Sequence, residues 1–189
     1  MRVGCLTLAL AIACGPAEET AETTETTDTT GNETETEVTE TAELDSIGMR
    51  TRSEDEIPRP PKPWAEMTSE EKGQYMSAEV LPYFRTLFRE YDPETYANVN
   101  CATCHGANMN ERNFAMPNPD ILALHPSGTD EQRAMVEAHP RMVRFMFRHV
   151  VPAMRQMLDQ PEFDEETGEG FSCYFCHPHA EGGEAPAKR

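Results

Sequence analysis

The five-residue pattern Cys-x-x-Cys-His occurs twice in this chain, as CATCH at residues 101–105 and CYFCH at residues 173–177. It constrains the fold more than any other feature. Four of the six cysteines lie in these two copies, and the other two, Cys5 and Cys14, stand near the N-terminus. Cysteines three apart lie on one side of a helical turn, where both thiols can add to the two vinyl groups of one porphyrin. The histidine that follows is then aimed at the iron. The pattern points to two covalent c-type haems, with Cys101, Cys104, Cys173 and Cys176 holding the porphyrins and His105 and His177 as axial ligands. Other chemistries fit less well. A thioredoxin-like pair needs a strand and helix context that NVNCATCHGANMNERN does not offer. A shared zinc would have to span some 70 intervening residues with a histidine trailing each pair, and a disulfide across three residues is strained.

An iron with one histidine has an open axial position, and an internal repeat suggests what fills it. MSAEVLPYFRTLF from Met76 and MFRHVVPAMRQML from Met146 correspond at an offset of 70, pairing Met76 with Met146, Val80 with Val150, Pro82 with Pro152, Arg85 with Arg155 and Leu87 with Met157. The cysteines follow at an offset of 72, so each half reads helix, loop, CxxCH, as a duplication would produce. The expected fold is mainly α, with repeat 1 over about 68–112 and repeat 2 over about 138–180. Thr68 with Glu71, and Thr129 with Gln132, have the spacing of helix N-caps, and Pro140 suits a first turn. Pro82 and Pro152 should kink their helices.

At 100° per residue Met142, Met146, His149, Val150, Ala153 and Met157 share one face, and Arg141, Arg144, Arg148 and Arg155 the opposite one. The repeat makes Met76 and Met146 the leading sixth ligands, although methionine on an apolar stripe is commonly plain core. Met116 rivals Met76, and Met154 rivals Met146; His125, His139, His149 and His179 are further alternatives. Arg85 and Arg155 are candidate partners for haem propionates, or part of a solvated or docking face.

The N-terminal third has a different character. Residues 1–14, MRVGCLTLALAIAC, read as an export signal, and the ending AIAC before Gly15 resembles a bacterial lipobox, which implies lipidation at Cys14. Residues 17–46 hold eleven acidic residues, eleven threonines and no basic residue, supplying -11 of the net charge of -18. Residues 15–61, acidic and then proline-rich, are expected to be a disordered linker, with folding from about Lys62 to Arg189. Three lysines and a strongly acidic balance exclude a phosphate-gripping nucleic-acid binder.

Methionine helix, loop and CxxCH in repeated order resembles the multihaem cytochrome c subunit of photosynthetic reaction centres and its non-photosynthetic relatives. RMVRFMFRHV before CYFCH looks like that family's ligand helix, implying Met146 beside His177, and QYMSAEV implies Met76 beside His105. Two attachment motifs, where the photosynthetic subunit has more, imply a dihaem relative serving another chain. The expectation is an electron carrier rather than an enzyme, held on the periplasmic side of a bacterial membrane and exchanging electrons with redox partner proteins. The alternative is a dihaem enzyme such as a peroxidase, in which one iron keeps an open face.

Overall fold

The computed structural model describes residues 44–180, and these are mainly helical. The export signal, Cys14 and the linker as far as residue 43 lie outside the described residues. Among the described residues pairing of extended chain is limited to three isolated bridges, and no helix is long and apolar enough to cross a membrane.

Two broken helices dominate. The first runs as α1 (Ser69–Tyr75), a π turn (Met76–Val80) and α2 (Leu81–Tyr91). Its start follows from the capping pair: Thr68 Oγ1 accepts the Glu71 N–H at 3.2 Å, and Glu71 Oε2 accepts the Thr68 N–H at 2.7 Å. The Lys62 ammonium, 2.8 Å away, and the Thr68 donors hold the Glu71 carboxyl down at about 2. A short α3 (Cys101–His105) and α4 (Asp130–Ala138) intervene before the second broken helix. Thr129 caps α4 through the Gln132 N–H, while the Gln132 side chain takes the Gly128 N–H rather than that of Thr129. The second broken helix is α5 (Pro140–Phe145), a π turn (Met146–Val150) and α6 (Val151–Met157).

At each expected kink the helix carries a π turn just before the proline. In each, the residue before the proline donates five residues back, Leu81 to the Met76 carbonyl and Val151 to the Met146 carbonyl. The helix in effect restarts there. Pro82 and Pro152 then occupy a first turn, where a missing N–H leaves no intrahelical bond unmade. The two interruptions stand 70 residues apart and each opens on a methionine.

The broken helices meet through aromatic rings. Phe145, fully buried, stacks on Tyr91 with centroids 4.2 Å apart and meets Phe88 edge-on at 5.2 Å. Arg141, expected on the solvated face, covers the Tyr91 ring at 4.2 Å and donates Nη2 to the Tyr91 carbonyl at 2.8 Å, closing the end of α2. Buried Tyr75, Val80, Phe84, Leu87, Phe88 and Tyr91 form the inner face of the first helix. The five-residue step from Tyr75 to Val80 is the signature of the π turn.

The expected boundary at Lys62 is corrected, because residues 44–61 pack on the helices rather than lead into them. Met49 is buried, and Ile47 and Ile57 lie against the core. Asp45 Oδ2 meets His149 Nε2 at 2.9 Å with both side chains only 3% exposed. Gln156 Nε2 donates to the carbonyls of Glu54 and Ile57 at 2.7 and 2.6 Å. Scattered apolar residues in a polar stretch suffice once two buried polar side chains on the second helix take up this segment's oxygens.

Candidate functional site

The first motif is built largely by local contacts. Arg85 Nε and Arg89 Nη2, both on α2, donate to the carbonyls of Val99 and Ala97 at 2.8 Å and tie down the loop before it. Arg85 is thus engaged with the backbone. Asn100 starts α3: its Oδ1 accepts the Ala102 N–H at 2.9 Å, and Thr103 Oγ1 accepts the Asn100 N–H at 3.0 Å. Gly106 ends the turn at φ 88°, where a Cβ would fall 2.7 Å from Asn118 Oδ1 and 2.9 Å from Asp120 Oδ2.

The second motif has less of its own structure. Cys173–Phe175 form a single 3-10 turn, and the His177 N–H reaches the Cys173 carbonyl at 3.0 Å. Its supports come from the segment 114–125. The Asn118 N–H donates to the Cys176 carbonyl at 2.9 Å, the Leu124 N–H to the Pro178 carbonyl at 2.8 Å, and the Tyr174 hydroxyl to the His125 carbonyl at 3.0 Å. The same segment serves both motifs, since Asn118 also backs Gly106.

In both motifs the histidine is held in the same way. His105 Nδ1 lies 3.2 Å from the Phe114 carbonyl, and His177 Nδ1 lies 2.8 Å from the Leu122 carbonyl. A carbonyl only accepts, so each Nδ1 donates, and in the neutral ring Nε2 is the nitrogen left with a lone pair. Burial, helped by the nearby Arg112 charge, pushes the His105 pKa down and favours the neutral ring that a metal needs.

Among the described residues the four motif cysteines form no disulfide. Burial raises Cys104 to about 11, with Cys101 adding to it; burial raises Cys176 to about 12, with Cys104 and Cys173 adding to it. Asn118, bonded to the Cys176 carbonyl and packed against Gly106, brings the two motifs to one segment. Burial likewise raises Cys173, the first thiol of the second pair, away from the depressed value of a thioredoxin-like attacking thiol. Among the described residues no three His, Cys, Asp or Glu side chains converge as a metal-ion site.

The surroundings fit a large planar apolar group. Phe114, Leu122 and Phe175 are 45, 55 and 43% exposed, and each belongs to a motif or to the residue whose carbonyl holds its histidine. Bulky apolar side chains gathered in the open at two imidazoles are placed to be covered. The four cysteines with His105 and His177 would hold two porphyrins there.

Met76 and Met146 each open a π turn and lie half-buried on the core. Met154 is likewise half-buried against that core, and Met116 is half-buried in the shared segment. His149 is committed to Asp45. His179 stacks flat on Tyr174 at 3.7 Å, while His125 and His139 line an open hollow of about 390 Å³ with Leu122 and Met135. Sequence reasoning missed the 114–125 segment because its contribution is mainly backbone carbonyls and N–H groups, which leave no side-chain pattern. The sequence matches no protein-family model, no curated protein and no solved structure.

Proposed function

We propose that this chain is an exported dihaem c-type cytochrome that carries electrons, with Cys101 and Cys104 binding one haem and Cys173 and Cys176 the other. The observation that carries the reading is the matched pair of histidines, each with Nδ1 given to a backbone carbonyl and Nε2 left for iron. The haems supply reversible one-electron iron chemistry. The chain's part is to fix the imidazole orientation, exclude water with the apolar side chains around each histidine, and supply a sixth ligand.

Met76 and Met146 are the proposed sixth ligands. Their equivalent places at the head of two π turns, 70 residues apart, support both this assignment and a duplicated helix-loop-CxxCH unit. A π turn re-aims the side chains around it and frequently accompanies function. Histidine with methionine keeps iron low-spin and at a higher potential than two histidines would. Export on the periplasmic side, a lipid anchor at Cys14 and redox partner proteins complete the proposal, resting on the N-terminal sequence.

Optical spectra through a redox titration of the haem-matured protein test it. Two low-spin haems with the far-red ferric sulfur-to-iron band are expected. A high-spin haem that binds added small ligands readily would overturn the carrier reading in favour of an open-site enzyme.

A further inference from the structure

Asn118 is 1% exposed, yet its Nδ2 meets no acceptor among the described residues. Its orientation is set, because Oδ1 accepts the Asp120 N–H at 2.9 Å and must therefore be the oxygen. Its backbone N–H is spent on the Cys176 carbonyl. Arg112 lies at the same place: Nη2 donates to the carbonyl of Pro117, the residue before Asn118, at 2.7 Å, while its buried Nη1 meets no acceptor among the described residues. No carboxylate of the described residues forms an ion pair with Arg112. Asp120, the acidic side chain at hand, takes the Ala107 N–H at 2.7 Å. A buried donor without an acceptor costs about 1–3 kcal/mol, and more when charged. Two of them, one cationic, gathered on the segment that serves both attachment motifs, need an oxygen anion to complete them.

We propose that Arg112 and Asn118 form the seat of a haem propionate, the guanidinium Nη1 and the amide Nδ2 each donating to the carboxylate. The inference rests on the dihaem reading, which supplies a carboxylate at this place without any further ligand. It moves the propionate contact away from Arg85 and Arg155, the pair that the repeat favoured: Arg85 is engaged with the Val99 carbonyl. Seated next to Gly106 and Cys176, the carboxylate would be shielded from water between the two motifs, and its charge would be offset by Arg112.

Resonance Raman spectra of the haem-matured full chain test the proposal, read at the propionate bending mode and paired with the midpoint potentials. Asn118→Leu keeps the shape but removes the donor together with the Oδ1 acceptor of the Asp120 N–H, Arg112→Gln removes the charge, and Arg155→Gln is the control. The band is expected to shift in the first two and not in the control. The potential of one haem should fall in Arg112→Gln, because an uncompensated carboxylate favours ferric iron, and Arg112→Lys should restore most of it. If Asn118→Leu does not mature, the two Arg112 variants carry the test, since they leave the Asn118 contacts intact. Two haems per chain with band and potentials unchanged in Arg112→Gln would overturn the propionate seat alone. A parent protein without haem would overturn the dihaem reading and the seat with it.

Discussion

His105 finds its carbonyl nine residues downstream, in a motif that has its own N-cap and a closing glycine; His177 reaches back 55 residues to Leu122 from a single 3-10 turn. The same five-residue chemistry therefore rests on local structure in one half and on long-range structure in the other. A motif fixes what reacts, whereas its support decides when in folding the site exists. The first needs α2, its loop and the chain as far as Phe114. The second needs the segment 114–125 docked against it, which is paid for by loop closure over a long stretch of chain.

Emptying each motif in turn gives the largest expected change. With Cys101 and Cys104 both replaced by alanine, the covalent haem content should drop from two to one, and the same should follow for Cys173 and Cys176. Haem per chain by absorbance and mass checks this, and two haems in either variant would break the pairing of motif with haem.

The two broken helices offer the next contrast. Phe145, fully buried between Tyr91 and Phe88, should cost about 3–5 kcal/mol as Phe145→Ala, while Phe147, 73% exposed two residues on, should change stability by less than about 0.5 kcal/mol as Phe147→Ala. Chemical denaturation separates them.

A smaller effect belongs to the N-terminal segment on the second helix. Burial pushes the Asp45 carboxyl up, but the Met49 N–H, the His149 ring and the Ile47 N–H outweigh it and leave it below its ordinary 3.8. The group's stabilisation is then present above that value and is lost as acid titrates the folded carboxyl below it. Asp45→Asn should cost about 1–3 kcal/mol near neutral pH and flatten this acid limb in denaturation curves taken at several pH values.

The smallest effect sharpens the match between halves. Tyr75, the counterpart of Phe145 at the offset of 70, has a buried hydroxyl without a partner among the described residues, and burial raises its pKa to about 12. Tyr75→Phe makes the two positions alike and should raise stability by about 1 kcal/mol. A clear loss on thermal melting would mean that the hydroxyl has a partner in the haem-loaded protein.

The mainly helical fold and the correspondence of the long helices were readable because apolar spacing, caps and prolines are side-chain signals. Regular counting at 100° per residue placed Met157 and Ala153 inward but passed over Gln156, which is buried because its amide donates to the Glu54 and Ile57 carbonyls. Pro82 and Pro152 marked the positions, but not the π turn that precedes each. Residues 44–61 were hidden by the composition of the acidic stretch before them, since Ile47, Met49 and Ile57 are too scattered to make a periodic face. At the site, the cysteines and histidines were legible by type. The carbonyls of Phe114 and Leu122 were not, because every residue carries one and only tertiary contacts select which is used.

The mass of the haem-matured chain, together with its proteolytic peptides, reads directly whether both motifs carry covalent haem. Two haems per chain are expected, one on a peptide containing Cys101 and Cys104 and one on a peptide containing Cys173 and Cys176. A matured chain whose mass equals that of the polypeptide alone, or whose haem sits on one peptide only, would contradict the dihaem reading.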